Sequence, residues 1–206
     1  MEGDIWPTVR AERRALSADL AGLSDEQWDM PSLCPDWTVR DVLAHMTATA
    51  KTTSANFFPA LAASGFRFER LQEKNIAAQR GSTPADTLRG FDAILTSTKR
   101  PPGPPMTMMG ETIVHSEDIR RPLGIAHEYP TEWVRRVADF FKGSNLLIGS
   151  KRRITGVSLR ATDTSWSSGS GPEAAGPVLS LLMAMTGRQA ALADLEGPGV
   201  EVLRRR

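Results

Sequence analysis

A single cysteine, Cys34, leaves this chain without an internal disulfide, so packing alone has to hold its core. That scarcity agrees with a reducing, cytoplasmic setting. No run approaches the ~20 apolar residues that a membrane helix needs. The opening residues, with acidic Glu2 and Asp4, lack the apolar stretch of a signal peptide. Charge of one sign is lacking as well: 25 Lys and Arg face 24 Asp and Glu, a formal net charge of +1. Such a balance gives no electrostatic case for nucleic acid or a membrane surface as partner. The closing Arg204-Arg205-Arg206 reads as a solvated tail. There is no internal repeat and no low-complexity tract. The composition is that of a soluble protein of 206 residues, long enough for a proper core.

Histidine is scarce too, with only three residues, and this makes their placement informative. Gly110-Glu111-Thr112-Ile113-Val114-His115-Ser116-Glu117-Asp118 sets Glu111 and His115 four residues apart. On a helix both side chains then share a face, one turn apart. A carboxylate and an imidazole so placed can grip one divalent metal. One helix supplies two ligands, and His45, on another predicted helix, is the candidate third. The same spacing also suits an ordinary surface pair, so His45 is what gives it weight.

Taken in order, the chain reads as mostly helical. Residues 7–22 form a first helix with Pro7 in its first turn, and Ser24 to Trp28 a short capped turn. Met30 to Trp37 is irregular, with two prolines. Thr38 and Asp41 make a capping box for a helix from 39 to the low 50s or as far as 63. Phe66, Phe68, Leu71, Ile76 and Ala77 outline an amphipathic helix ended by Gly81. Thr83-Pro84 opens the next, with Leu88, Phe91, Ile94 and Leu95 as its apolar stripe. Pro101 to Pro105 is a stiff connection. The Glu111/His115 helix spans about 107–121, and another runs from Pro130 to about 148. Beyond Gly149 the texture changes: a strand over Ile154 to Ala161, a hairpin around Trp166, a helix from Pro177 to Asp194, and a short Val200–Leu203 strand. This places a domain boundary at 149/150, with residues 150–206 as an α+β tail packed on the preceding domain.

Two stretches carry a family likeness. Trp28-Asp29-Met30-Pro31-Ser32-Leu33-Cys34-Pro35-Asp36-Trp37-Thr38-Val39-Arg40-Asp41-Val42-Leu43-Ala44-His45 is one; Gly110 to Gly124, with its Glu-x-x-x-His-x-x-Asp core, is the other. Together they resemble the mycothiol-dependent maleylpyruvate isomerase family, a branch of the DinB-like metal-binding helical bundles. Ala161-Thr162-Asp163, Gly169-Ser170-Gly171-Pro172 and Thr186-Gly187-Arg188 resemble the tail of that family. The resemblance implies a mainly α fold, a DinB-like four-helix bundle with a short C-terminal α+β appendage. It implies one divalent metal, usually zinc with nickel as an alternative, on His45, Glu111 and His115. Glutamate at 111 replaces the third histidine of the better-known DinB pattern. Mycothiol is the implied cosubstrate, and pairing into a homodimer stays open. One departure is expected: the tail after residue 150 is short beside the larger C-terminal domain of fuller members.

Two imidazoles, one carboxylate and an open position are the pattern of a catalytic metal site. A metal there lowers the pKa of a bound group, giving hydroxide from water or thiolate from a thiol. The resemblance favours a thiol S-transferase or isomerase acting on a small electrophile. A metal-dependent hydrolase and a non-catalytic metal-binding bundle are the alternatives. Asp118 is a candidate for orienting a ligand imidazole, or else a partner of Arg120 or Arg121. Arg188 could hold a substrate carboxylate or only favour a helix end. Trp28 and Trp37 are expected to wall the loop near His45. Cys34 reads mainly as a small apolar group, His127 as a surface histidine, and Asn75 as either surface or a substrate hydrogen-bonder.

Overall fold

The computed structural model describes residues 4–145 and 148–206. They divide into two compact units, one running to His127 and the other from Glu128 to Arg206.

The first unit holds α1 (Trp6–Leu20), α2 (Asp25–Trp28), α3 (Val39–Lys51), α4 (Ser54–Ala63), α5 (Phe68–Gln79), α6 (Pro84–Asp92) and α7 (Met106–Arg120). Four of these close a bundle. α1 packs on α6 and α7, and α3 packs on the same two. α5 covers the remaining side of α3, and α4 lies against α5. Leu16, Leu20, Val42, Leu43, Met46, Phe91 and Ile119 meet in the core. The mainly α class, with a four-helix bundle and a smaller α+β part, is the one expected.

Local chemistry sets the helix starts. At α3 the Thr38 hydroxyl accepts from Asp41 N, and the Asp41 carboxylate accepts from Thr38 N at 3.0 Å, a reciprocal capping box. The same device opens α2 from Ser24, α4 from Thr53 and α6 from Thr83. Thr53 explains why α3 ends at Lys51 instead of continuing to 63: a second cap, with Asn56 as its partner, restarts the chain in a new direction. Gly65 and Phe66 both take positive φ. That turn leaves Phe66 78 % exposed, so the expected amphipathic stripe of α5 reduces to Leu71 and Ile76.

α7 is buried on nearly every face, from Met108 to Arg120. Its polar residues therefore need partners. Thr112 donates to Met108 O at 2.8 Å, Arg121 meets Glu117 at 2.9 Å, and Arg120 meets Asp19 of α1 at 2.7 Å.

The second unit contains α8 (Thr131–Lys142), α9 (Ser150–Ile154), β1 (Ser158–Ala161), β2 (Ser167–Gly169), β3 (Glu173–Gly176), α10 (Val178–Met185), a 3-10 helix (Gln189–Asp194) and α11 (Gly199–Arg204). The sheet order is β2-β1-β3, with β2 antiparallel and β3 parallel to β1. Gly169 closes the β2 end at φ 83°, where a Cβ would collide with the Val157 carbonyl. α8 packs on α10, so the contacts place the division at 127/128 and not at the change of texture near 149. The expected continuation of α8 through Leu146 and Leu147 lies outside the described residues. Three other expectations change. Ile154 ends a helix and does not begin the strand. Gly187, at φ 95°, interrupts the long C-terminal helix after Met185. Val200–Leu203 is helical, since Pro198 and Gly199 start a turn that overrides β-branched preference. No described helix is long and apolar enough to cross a membrane.

Because Thr38 caps the helix that carries His45, Thr38→Ala is expected to lower stability by about 1 kcal/mol in urea denaturation monitored by circular dichroism. An unchanged midpoint would show that the cap does not hold the start of α3.

Candidate metal centre

Adjacent helices α3 and α7 supply three facing side chains. His45 Nε2 lies 3.3 Å from Glu111 Oε1, and His115 Nε2 lies 3.8 Å from Glu111 Oε2. The two imidazole rings meet edge to face, with centroids 4.9 Å apart. Ligand atoms of all three residues fall within 4.8 Å of one another. A tetrahedral centre with bonds of about 2.0–2.2 Å places nitrogen and oxygen ligands about 3.3–3.6 Å apart, close to the 3.3 and 3.8 Å separations here, so the cluster fits one divalent ion. The side chains remain 11–18 % exposed, which leaves the cluster open on one side. Trp37 closes another side, its ring centroid 5.0 Å from His45 and 6.5 Å from His115.

The electrostatics of Glu111 fit a cation as well. Burial pushes its carboxyl up. The charges of His45 and His115, with polar contacts from His45 and Thr49, outweigh that and bring it down to about 2. Even so, Oε1 is buried without a hydrogen-bond partner, because His45 Nε2 is near but not aligned. A buried carboxylate oxygen in that state is costly, and a metal ion would satisfy it.

His115 turns its other nitrogen away from the cluster. Nδ1 lies 2.8 Å from Asp118 Oδ2, on a fully buried carboxylate one turn further along α7. As a carboxylate, Asp118 only accepts, which puts the His115 proton on Nδ1 and leaves Nε2 as the donor atom for a metal. Asp118 Oδ2 also accepts from the Cys34 thiol at 3.1 Å, and its backbone oxygen accepts from Leu33 N at 3.1 Å. The loop before α3 is thus pinned to α7. Within the loop, Ser32 N and Oγ donate to Trp37 O at 2.9 and 2.8 Å, and Val39 N donates to Met30 O at 2.9 Å. Asp36 takes a left-handed φ of 64°, which turns the chain between Cys34 and Trp37.

Cys34, His115 and Asp118 form a second cluster of metal-ligating types. Within it, Asp118 holds both His115 Nδ1 and the Cys34 thiol, and Cys34 Sγ lies 3.7 Å from His115 Nδ1. Cys34 and Asp118 are both buried, so no open coordination position is offered there. The partly exposed set with the orphaned Glu111 oxygen is the better fit.

Of the other residues singled out in the sequence, Trp28 lies in the hydrophobic core, while Trp37 alone reaches the imidazoles. Arg120 pairs with Asp19 and Arg121 with Glu117, while Asp118 meets His115. Cys34 is more than core filling, since its thiol reaches Asp118. His127 is no plain surface residue: its Nε2 lies 2.7 Å from Glu12 Oε2, a carboxylate buried on α1. Arg188, in the second unit, donates to Thr186 O at 2.9 Å beside the end of α10. Thr49 was not foreseen. Its position, one turn beyond His45, was the available signal.

Residues 9–104 match the family model described as the mycothiol maleylpyruvate isomerase N-terminal domain. No curated protein matches the chain in sequence. Two solved structures share its fold. One is a crystal structure of the mycothiol-dependent maleylpyruvate isomerase, at 14 % identity and a TM-score of 0.63. The other is a histidine-to-alanine mutant of that enzyme, at 15 % identity and a TM-score of 0.64. Each alignment covers 94 % of this chain and 91 % of the other.

If Asp118 fixes the His115 tautomer, Asp118→Asn lowers zinc affinity by about 10–100-fold in a competition titration against a chromophoric chelator. An affinity equal to that of the unaltered protein would detach Asp118 from the metal centre.

Proposed function

We propose that this chain, matched over residues 9–104 by the mycothiol maleylpyruvate isomerase N-terminal domain, is a metal-dependent enzyme that uses mycothiol, an S-transferase or maleylpyruvate isomerase-like catalyst acting on a small electrophile. The observation that carries this reading is the half-open cluster of His45, Glu111 and His115. A divalent metal, zinc in the first instance, would supply Lewis acidity there and make a thiol available as thiolate at neutral pH.

The chain's own residues do the positioning. His45 and His115 present ring nitrogens from neighbouring helices, and Glu111 adds one negative charge between them. Two neutral imidazoles and one carboxylate leave one charge of a divalent ion unbalanced. This favours an anionic sulfur over a neutral thiol at the open side. Asp118 is a positioning residue: it holds the Nδ1 proton of His115 and touches no substrate in this reading. Trp37 keeps water from one flank of the imidazoles. Arg188 is retained as a proposed partner for a substrate carboxylate, besides its bond to Thr186. The family and structures that the chain resembles are mycothiol-dependent, and a cytoplasmic setting accompanies that thiol because a free thiol needs reducing conditions.

Cobalt replaces zinc without loss of geometry in many such sites and gives a readable spectrum. Mycothiol added to the cobalt-loaded protein is expected to produce a sulfur-to-cobalt charge-transfer band. His45→Ala is expected to abolish tight metal binding and the band while leaving the far-ultraviolet circular dichroism unchanged. A cobalt-loaded protein whose spectrum ignores mycothiol would overturn the thiol reading in favour of the hydrolase alternative. Metal stoichiometry unaffected by His45→Ala would exclude His45 as a ligand.

A further inference from the structure

A cavity of about 210 Å³ lies among α3, α4 and α5, outside the metal cluster. It is smaller than the roughly 300–1,000 Å³ of sites that hold a whole small molecule, so it suits one ring-sized portion of a larger one. Its place relative to His45 follows from the helix. Ala48, three residues beyond His45 on α3, Lys51 at the helix's last position and Thr52 just after it line the cavity. Ala48 lies about 4.5 Å down the axis from His45 and about 60° round it. Thr49, next to Ala48, reaches Glu111. The cavity thus begins about one turn beyond His45 along α3, on the side that α5 covers.

The lining has a definite chemistry. Thr52, Asn56, Asn75 and Gln79 bring one hydroxyl and three amides, Lys51 adds an ammonium group, and the lining includes no carboxylate. Gln79 accepts from Lys51 Nζ at 2.6 Å, and Asn56 is engaged in the α4 cap. The half-buried Asn75 side chain makes no hydrogen bond among the described residues. An amide both donates and accepts, as a sugar hydroxyl does. Phe57 and Leu71 add apolar surface of the kind that the C–H face of a saturated ring covers. The roof is loosely held. α4 is apolar in sequence yet fully buries none of its residues, and Phe58 is 59 % exposed. A helix of that kind can move aside to admit a ligand.

We propose that this cavity is the subsite for a hydroxylated ring of the thiol cosubstrate, whose sulfur sits at the metal cluster and whose tail runs along α3. The inference rests on the mycothiol reading and deepens it: mycothiol carries its cysteine on a glucosamine–inositol unit, a polyol of the required kind. Asn75 is the specificity-determining contact, supplying a hydrogen bond that a thiol without the polyol cannot use.

The test compares two thiols on the cobalt-loaded protein, mycothiol and N-acetylcysteine, which lacks the polyol. The ratio of their affinities is expected to fall about tenfold in Asn75→Leu. Ala60→Trp, which fills the cavity from α4, is expected to lower the same ratio and guards against a folding defect in the first variant. Thiol-free glucosaminyl-inositol is expected to shift the Asn75 and Gln79 side-chain amide resonances. If mycothiol gives its charge-transfer band but both variants keep the ratio and the fragment shifts neither amide, the subsite is wrong and the thiol reading stands. If mycothiol gives no band and the fragment shifts nothing, both are wrong.

Discussion

Glu111 is a buried carboxylate, and much of the first unit is arranged around that fact. A charge in such a place is tolerated only beside an opposite one. His45 and His115 provide it when protonated, and the carboxyl is held down at about 2 as a result. They cannot provide it fully, because Oε1 has no hydrogen bond. The same three side chains around a divalent ion have neither defect. α3 and α7 therefore serve a single requirement: to hold two imidazoles on either side of one carboxylate. The cap at Thr38 fixes where α3 begins, and the ion pair of Arg120 with Asp19 ties α7 to α1.

Around this centre the polar contacts form a graded set. His115 divides its nitrogens, Nε2 toward Glu111 and Nδ1 toward Asp118. Asp118 in turn holds the Cys34 thiol and Leu33 N, and with them the loop that presents Trp37. A change at Asp118 therefore reaches the imidazole and the aromatic wall together. The loop, which looks irregular in sequence, is rigid because its hydrogen bonds close on themselves and on α7.

Much of this was legible beforehand, for reasons that differ from residue to residue. Caps at Thr38 and Thr83 are local and depend on the chain three residues ahead, so sequence reveals them. Glu111 and His115 share a helix, and their spacing is itself the geometry. His45 needed a second line, the rarity of histidine together with a motif. The pairing of Asp118 with Cys34 spans 84 residues and could not be read from spacing. The same holds for His127 and Glu12, which lie 115 apart. In the second unit the parallel partner of β1 was missed because β3, Glu173-Ala174-Ala175-Gly176, carries almost no strand preference and is held by register alone. The cavity beneath α4 was invisible for a similar reason: it exists only because the Thr53 cap bends the chain back over α5.

X-ray absorption fine structure of the zinc-loaded protein, recorded before any thiol is added, addresses the central claim most directly. Ligation by His45, Glu111 and His115 gives nitrogen and oxygen scatterers at about 2.0–2.2 Å with imidazole multiple scattering and no sulfur. A zinc–sulfur distance of about 2.3 Å under those conditions would place the metal with Cys34, Asp118 and the other nitrogen of His115, and would contradict it.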